Sequence, residues 1–569
     1  MKNKVIIEKI EEKLQNVLES CGYELPAKII PSNRKDLCDY QFDGSFSYAK
    51  VLHKSPIEIS ESIVEMWGSI YKDDPDFKKI EAVKPGFINF TLSNKFINET
   101  LNKMNEEPKF GIKMPKKETI VIDYGGPNIA KPLHVGHLRS AIVGESIKRI
   151  LEYFDYNVIS DVHLGDYGLQ IGQVIYGLKQ ENIGLDDITI EILDRIYPEM
   201  SALCKSDEKI KEECAQITKE LQDGNQEYQE YFEKIKEVSL KDIKRIYDYL
   251  DVHFDYWFGE ADSYKYIPKL TEELENKKLL KLSEGAKIID VKKDTDELEI
   301  PPLIYQKQNG AYLYGTTDLA TIYQRMNDYH PNKILYVTDL RQALHFKQVF
   351  RVCEKLGYTK ETSFEHLGFG TVNGSDGKPY KTRAGSAPKL DTLFKETKEA
   401  FLASNPKNDA MDESDLDILV NAIIKFADLQ NNREKDYIFD INKFSTVIGK
   451  TGPYILYTYL RINSILEKEQ YTITCLDNQI YNETDRELRI KILELENTLK
   501  YSLDTRLPSV LANYLYEICV NMNAFYEKNH INNLEDRNKK ENWLLLLTLA
   551  NKILKEMLEL LSIKIPKKM

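Results

Sequence analysis

Apolar residues at helical spacing begin the chain and predict an amphipathic first helix, with one stripe formed by Ile6, Ile7, Ile10, Leu14 and Val17. Farther on, the stretch SPIEISESIVEMW starts with a serine and a proline, as helices commonly do. A Pro-Gly turn then precedes the alternating stretch FINFTLS, which predicts a strand. Residues 1–110 are therefore expected to form a small α+β module.

The pattern changes at Thr119. The β-branched run TIVIDY predicts a buried strand, and a helix is predicted from the following loop to Glu152. The stretch NVISD predicts a second strand, which leads into a glycine-rich loop. Strand, loop, helix and strand within about forty residues indicate the βαβ unit of a doubly wound parallel sheet.

The rest of the chain divides by its helical content. Residues from about 178 to 260 are helical and charged, which predicts an insertion, and the stretch KILYVTDLRQALHFKQVF then repeats strand, loop and helix. From about Asp415 nearly every stretch is helical. The expected fold class is α/β, with a Rossmann-like domain over residues 111–400, the α+β module before it and an all-α domain over residues 401–569.

Composition narrows the class of protein. The 569 residues are 42% hydrophobic and 30% charged, which is typical of a globular chain of several domains. The longest apolar run, WLLLL, is too short to cross a bilayer, and the N-terminus lacks a signal-peptide core, so a cytoplasmic protein is expected. The net charge of −13 leaves room for a nucleic-acid partner, because a local basic face acts within a Debye length.

Seven cysteines are scattered along the chain without a C-x-x-C pair. This dispersal argues against a disulfide framework and against a structural zinc site. The cysteines are expected to be buried thiols in a reducing compartment, and the sequence indicates no metal-ligand set.

The stretch PNIAKPLHVGHLRSA carries the candidate chemistry. His134 and His137 fall at the start of the helix after the first strand, where free N–H groups and the helix dipole favour an anion. Two imidazoles there can donate hydrogen bonds to phosphate oxygens as negative charge grows. Gly136 leaves room for a flat group, and Lys131 adds a cation. In the alternative interpretation, the histidines only cap the helix and face solvent.

This stretch resembles the HIGH element of class I aminoacyl-tRNA synthetases, in its arginyl-tRNA synthetase form. Other stretches match the family in order: HLGDYGLQIG the second catalytic loop, YLYGTTDLA and DLRQALHFKQVF the amino-acid pocket, and GKPYKTRAG the KMSKS loop. The stretches NREKDYIFD, TGPYILYTYLRINSI and IPKKM match the anticodon-binding domain. The resemblance covers essentially the whole chain.

The resemblance implies a monomeric ligase that forms arginyl-adenylate from arginine and ATP with Mg²⁺, usually once tRNA is bound. The arginyl group then passes to the terminal ribose of tRNA-Arg, and AMP and pyrophosphate are released. By resemblance, the residues that serve catalysis or hold ATP are Lys131, His134, Gly136, His137, Lys378 and Lys381. Magnesium is expected to arrive with the ATP phosphates rather than on protein ligands.

A guanidinium is read best by carboxylates that accept forked hydrogen bonds. By resemblance, Asp123 and Asp318 face the substrate side chain with Tyr314 beside it, and Asn128 and Gln342 hold its main-chain end. Each aspartate, taken alone, is also compatible with a helix cap. Lysine or citrulline would leave these carboxylates poorly paired, so no editing site is expected.

The chain departs from the family pattern at several points. The KMSKS loop is degenerate, and Lys131 is expected to supply part of its charge. Gly125 and Gly126 stand where many members carry serines, and Asp43 stands where asparagine is common in the element that reads the tRNA D-loop. The remaining tRNA contacts implied by the resemblance are Gln41 in the N-terminal module, and Tyr454 and Arg461 near the anticodon.

Two other functions are compatible with parts of this pattern. Another class I synthetase, or an H-x-G-H nucleotidyltransferase, would share the histidine turn but not the paired carboxylate positions. A catalytically silent tRNA-binding paralogue would have no physical reason to keep His134, His137, Lys131 and Asp318 together.

Overall fold

The computed structural model describes residues 6–24, 26–374, 376–380, 388–405, 411–469 and 471–569. The chain forms two compact units. The first unit comprises Met1–Met114, Ile455–Asp504 and Val510–Met557, and the second comprises Pro115–Tyr454, Thr505–Ser509 and Leu558–Met569. These units divide the chain at points other than the predicted domains, because residues 401–454 lie in the second unit.

The first unit begins with an antiparallel four-stranded sheet in the order β1-β2-β4-β3. Helix α1 buries Ile10 and Leu14 as its stripe predicts, whereas Ile7 stays half-buried. The serine before α3 is confirmed as a cap, since Ser55 and Glu58 form a capping box. The elements are α1 (Ile6–Ser20), β1 (Ile29–Pro31), β2 (Tyr40–Phe42), α2 (Ser45–Leu52), α3 (Pro56–Ile70), β3 (Phe77–Val83), β4 (Phe87–Leu92) and α4 (Asn94–Glu106).

The second unit is built on a parallel sheet in the order β11-β10-β5-β6, which confirms the α/β fold class. In register, Asp123 at the end of the first strand faces Tyr336 on one neighbour and Asp161 on the other. The carboxyl ends of three strands therefore meet at one edge. The strands and their helices are β5 (Thr119–Tyr124), α5 (Val135–Tyr153), β6 (Asn157–Asp161), β10 (Lys333–Val337), α13 (Ala343–Leu356) and β11 (Ser363–His366).

Between β6 and β10 lie the predicted helices and a small antiparallel sheet in the order β7-β8-β9. The helices pack closely, since a Cβ on Gly172 would lie 2.2 Å from the carbonyl oxygen of Cys214. The elements are α6 (Leu169–Gln180), α7 (Ile190–Ser206), α8 (Glu208–Gln222), α9 (Gln226–Tyr249), α10 (Glu260–Ser263), α11 (Ile267–Asn276), β7 (Leu280–Ser283), β8 (Ala286–Ile289), β9 (Leu303–Gln306) and α12 (Tyr314–Tyr329).

After the parallel sheet, the chain is mainly helical, and β12 pairs with β13 over two residues. Residues 558–569 pack within the second unit: Lys564 forms a 2.8 Å ion pair with Asp251, and buried Lys425 donates to the Ser562 carbonyl. The elements are β12 (Val372–Asn373), α14 (Leu390–Ser404), α15 (Glu413–Leu429), β13 (Tyr437–Ile438), α16 (Ile441–Phe444), α17 (Gly452–Lys468), α18 (Glu483–Leu493), α19 (Leu495–Thr505), α20 (Pro508–Asn529) and α21 (Arg537–Leu560). Within the described ranges, no helix has the length and apolar character needed to cross a membrane.

Candidate active site

Helix α5 begins on a histidine instead of the usual serine or aspartate. His134 is its N-cap, and its Nδ1 accepts a hydrogen bond from the Gly136 N–H at 3.1 Å. Nδ1 of His137 accepts from the His134 N–H, also at 3.1 Å. Because each Nδ1 is an acceptor, each neutral ring carries its proton on Nε2. The helix-cap interpretation is thus correct for Nδ1, and it leaves one N–H donor on each ring.

The two rings form one unit that is neutral at physiological pH. Their centroids lie 3.9 Å apart. Burial lowers the pKa of His134, with a further contribution from Lys131, and it holds the pKa of His137 well below its usual value. Burial also lowers the pKa of Lys131, whose Nζ lies 5.6 Å from the centroid of the Tyr197 ring. The pair can therefore donate two hydrogen bonds to an anion without first losing or gaining a proton.

The turn is held on both sides by backbone hydrogen bonds. The Val135 N–H donates to the Pro388 carbonyl at 3.1 Å, and the Leu390 N–H donates to the Leu133 carbonyl at 3.0 Å. Gly136 is exposed, and a Cβ there would lie 2.8 Å from Cε1 of His134. Glycine at this position therefore makes room for the capping ring as well as for a bound group.

The loop after β5 is joined to the loop after β6. The Ile129 N–H donates to the Gly165 carbonyl at 3.2 Å, and the Gly165 N–H donates to the Pro127 carbonyl at 3.1 Å. The Asn128 side chain lies against Gly165: a Cβ added to Gly165 would be 2.1 Å from Oδ1 of Asn128. The two stretches that resemble catalytic loops therefore form one backbone platform.

The Gly125-Gly126 pair has a structural cause in this chain. Gly125 has a φ of +68°, which side chains other than glycine rarely adopt. A Cβ on Gly126 would lie 2.4 Å from the His163 carbonyl oxygen and 2.6 Å from that of Val162. A serine at Gly126 would not fit unless the loop shifted.

Asp123 has a partner that was not predicted from the sequence. It is buried, and its Oδ2 accepts a hydrogen bond from Nη2 of Arg325 at 2.6 Å. The same Nη2 donates to Oδ2 of Asp161 at 2.8 Å, and Nη1 donates to the Tyr336 hydroxyl at 3.2 Å. The chain's own guanidinium, fully buried on α12, therefore joins two strand ends.

Asp318 lies in the second turn of α12, so it is not a helix cap; the N-cap is Leu313. Its carboxylate is partly exposed, and Oδ2 lies 2.5 Å from Nε2 of His345. The His345 ring contacts the ring of Tyr314, with centroids 4.6 Å apart. Tyr314 is 61% exposed, so it is not part of the hydrophobic core. Carboxylate, imidazole and phenol thus form a small polar cluster.

Glu260, at the start of α10, was not predicted. Together with Asp123, Asp161, His163 and Asp318 it forms what we call the acidic region. Burial raises the pKa of Glu260 to about 7, and the neighbouring charges include His163, Asp318 and Asp166. Both ring nitrogens of His163 are buried, and neither has a hydrogen-bond partner among the described residues. A glutamate at a helix start is ordinarily a partner of the helix dipole, so the sequence carried little signal for Glu260.

The acidic region does not fit a resident metal ion. Ligand atoms of Asp123, Asp161 and His163 lie within 4.8 Å of one another, which is the spacing of a possible metal site. However, Nη2 of Arg325 already lies between the two carboxylates, within hydrogen-bond distance of both. A second cation there would meet strong repulsion.

The remaining residues predicted to contact arginine or ATP are Gln342, Lys378 and Lys381. Gln342 is exposed at the start of α13, and Lys378 is exposed in a turn where its N–H donates to Asp376 at 3.0 Å. Lys381 lies outside the described residues.

The predicted tRNA contacts differ in surroundings. Gln41 is half-buried on β2, and its amide donates to Asn89 at 2.8 Å. Tyr454 and Arg461 are two turns apart on α17, and both are half-buried. The Arg461 guanidinium carbon lies 4.9 Å from the centroid of the Tyr526 ring.

A parallel sheet whose first strand leads into an H-x-G-H turn at a helix start is the catalytic architecture of class I aminoacyl-tRNA synthetases. The family models agree. The catalytic domain of class I tRNA synthetases (R) matches residues 99–441, the DALR anticodon binding domain matches residues 455–569, and the arginyl tRNA synthetase N terminal domain matches residues 4–92.

Individual relatives point the same way. The chain is 40% identical to an arginine–tRNA ligase of Agathobacter rectalis and to one of Alkaliphilus oremlandii, with 99–100% of each chain covered. Among solved structures, arginyl-tRNA synthetase from Plasmodium falciparum superposes with a TM-score of 0.84 at 28% identity over all of both chains. The Thermus thermophilus arginyl-tRNA synthetase shares the fold, with a TM-score of 0.79 at 22% identity over 99% of this chain and all of that one.

The chain belongs to the arginyl-tRNA synthetase family. The reaction of this family is the two-step aminoacylation of tRNA with arginine at the expense of ATP, and this is the enzymatic activity of the chain. The predicted family, fold class and reaction are therefore confirmed.

Proposed function

We propose that the His134–His137 turn and Lys131 hold the ATP phosphates while arginine is activated. The observation that carries this proposal is that both Nδ1 atoms accept backbone hydrogen bonds, so both Nε2–H groups remain as donors. As the arginine carboxylate attacks the α-phosphorus, negative charge grows on the phosphate oxygens, and donors held in place stabilise it. Lys131, Lys378 and Lys381 neutralise the departing pyrophosphate, and the ribose or base lies over Gly136.

The guanidinium of arginine is proposed to bind in the acidic region. Asp318 is the accessible carboxylate, and His345 and Tyr314 orient it. Glu260 adds a second carboxylate that ionises when the cation arrives. Asp123 contributes its negative charge, which Arg325 holds in place. Asn128 and Gln342 hold the main-chain end of the substrate.

The second step, transfer of the arginyl group to tRNA, takes place at the same site. The terminal ribose hydroxyl of tRNA-Arg attacks the carbonyl carbon of the adenylate, and AMP leaves. Gln41, Tyr454 and Arg461 are the proposed contacts to the tRNA body and anticodon loop. Magnesium is proposed to arrive with the ATP phosphates. The enzyme is proposed to act as a monomer in the cytoplasm.

Pyrophosphate exchange with and without tRNA tests this assignment of residues. Asp318→Asn is expected to raise KM for arginine more than Asp123→Asn, because Asp123 already has a guanidinium partner. Exchange that depends on arginine and tRNA in the parent enzyme is the reference. Equal KM values for Asp318→Asn and the parent would overturn the proposed pocket.

A further inference from the structure

Two cysteines that appear unrelated in the sequence meet in the helical insertion. Cys204, in the last turn of α7, and Cys214, in α8, lie ten residues apart, and their Sγ atoms are 3.6 Å apart. Both side chains are buried. Among the described residues, no other two cysteine sulfurs are in contact. The helical hairpin brings the thiols together although the chain has no C-x-x-C pair.

Helix α7 also supports the proposed phosphate site. Tyr197 places its ring beneath Lys131, with Nζ 5.6 Å from the centroid, and Asp194 forms a 2.5 Å ion pair with Lys389. Lys389 stands between the two residues that hydrogen-bond to the histidine turn. Cys204 follows Tyr197 by two helical turns, so both residues lie on the same side of α7. A shift of α7 that carries Tyr197 with it would therefore reach Lys131, although Pro198 lies between Tyr197 and Cys204 and removes one backbone hydrogen bond.

Helix α8 is less free to move than α7. A Cβ on Gly172 of α6 would lie 2.2 Å from the Cys214 carbonyl oxygen, so the two backbones are already in close contact. A disulfide needs its sulfurs at about 2.05 Å, so the thiols must approach by about 1.5 Å. Helix α8 meets α6 through backbone atoms at Gly172, whereas α7 meets Gly177 of α6 through the Ile196 and Met200 side chains. Of the movement that side-chain rotation does not supply, α7 therefore supplies the larger part.

We propose that Cys204 and Cys214 form a reversible oxidation site, and that their disulfide slows arginine activation by displacing α7 from Lys131. The Cys204 thiolate attacks a small disulfide such as oxidised glutathione and releases one thiol. The Cys214 thiolate then attacks the mixed disulfide and releases a second thiol. Two protein thiols are oxidised, one small disulfide is reduced, and the two protons end on the released thiols. The effect on activity rests on the proposed role of Lys131.

The Cys214 thiol remains protonated in this structure. Burial and the neighbouring Cys204 raise the pKa of Cys214 to about 12, so this thiol is not ionised at neutral pH. Oxidation therefore begins when the last turn of α7 opens and Cys204 meets the oxidant, since helix ends open more readily than helix centres. The site responds to sustained oxidation and not to brief exposure.

The test oxidises the full-length enzyme with glutathione disulfide and maps it without reduction. Lys205, Lys209 and Lys211 lie between the cysteines, so trypsin separates them and a disulfide-linked peptide pair is directly observable. We expect this pair to appear together with a fall of up to about 100-fold in arginine-dependent pyrophosphate exchange, because a remote change that misplaces a catalytic group by about 1 Å can cost that much. Dithiothreitol should restore the rate.

Matched variants separate this site from the other cysteines. Cys204→Ser, or Cys204→Ala if the serine variant folds poorly, should keep the reduced enzyme's rate and lose the sensitivity to oxidant. Cys475→Ser, at an exposed and isolated cysteine, should remain sensitive. Absence of the Cys204–Cys214 peptide pair, or equal inactivation of Cys204→Ser, would overturn the proposal. Crosslinking without loss of exchange would overturn its link to Lys131, and the proposed active site would still stand on assays of the reduced enzyme.

Discussion

His134 caps α5 with one atom of its ring and leaves another for the proposed contact with the nucleotide. Its Nδ1 caps the helix by accepting the Gly136 N–H, and its Nε2–H is the donor proposed for phosphate. A cap is worth about 1 kcal/mol, whereas one donor to a developing anion is worth about 10²–10³ in rate. The two contributions can be separated by substitution.

His134→Asn is expected to keep the cap, because its amide oxygen can accept the same N–H, but to lose the Nε2–H donor. His134→Ala loses both. We expect turnover to fall by about 10²–10³ in each variant, and thermal stability to fall only in the alanine variant, by about 1 kcal/mol. Steady-state aminoacylation and thermal unfolding measure the two effects. Full turnover in His134→Asn would contradict the donor role.

The proposed role of Glu260 would make arginine binding depend on pH. Its pKa, raised by burial to about 7, lies above its unfolded value, so the stability it contributes is present at low pH and is lost as pH rises through 7. Arginine requires the ionised form. Affinity should therefore rise about ten-fold per pH unit below 7 and level off above it.

Titration calorimetry in buffers of different ionisation heat checks this expectation, because binding near pH 7 should release a proton. Glu260→Gln should bind arginine more weakly and with a flatter pH profile between pH 6 and 8. Asp262→Asn, two residues farther along α10, is the control. An unchanged pH profile in Glu260→Gln would show that another group titrates.

Arg325 illustrates what a local pattern leaves hidden. Its partners Asp123 and Asp161 are 202 and 164 positions away in the chain, so no periodicity or spacing could reveal the pairing. The pairing of Asp318 with His345, 27 positions away, was equally hidden, although both residues lie in stretches that resemble the family's amino-acid pocket. Side-chain types and motif positions were predictable, whereas the pairs they form were not.

At the level of elements, the local pattern was sufficient to predict a strand or helix where only one type of element would bury the apolar residues. The run TIVIDY became β5, NVISD became β6, and the helix between them ends at Tyr153, one residue beyond the expected Glu152. The two-residue pairing of β12 with β13 had no comparable signal, because its stabilisation comes from distant partners.

The glycine pair after β5 provides a test at this level. Gly126→Ala should lower the free energy of unfolding by about 1–3 kcal/mol, since its Cβ would meet two backbone oxygens within 2.6 Å. It should also lower turnover. Gly168→Ala, in the neighbouring loop, is the matched control, because the nearest atom to its Cβ is 4.0 Å away and its φ of −97° is ordinary. Melting temperature and exchange rate should fall in the first variant only.

The whole molecule is acidic, with a net charge of −13, yet its substrate is a polyanion. Binding of tRNA must therefore depend on local cationic groups and fall with salt. Arg461, above the Tyr526 ring, is the group proposed here. Arg461→Gln should weaken tRNA binding and reduce the log–log salt slope by about one.

Filter binding or fluorescence anisotropy across a salt series measures that slope. Arg537→Gln is the matched control, since Arg537 is an exposed arginine on α21 that pairs with Glu541 at 2.8 Å. If both substitutions leave affinity and slope unchanged, the proposed contact at Arg461 is wrong.

Residues 558–569 close back onto the unit that carries the histidine turn, where Ser562 accepts from buried Lys425 and Lys564 pairs with Asp251. The ribosome makes this segment more than one hundred residues after Lys425. Until then, Lys425 lacks the Ser562 oxygens that accept its hydrogen bonds, so its burial is less well compensated. The unit that carries the histidine turn thus completes its packing around Lys425 only after residues 558–569 have been made.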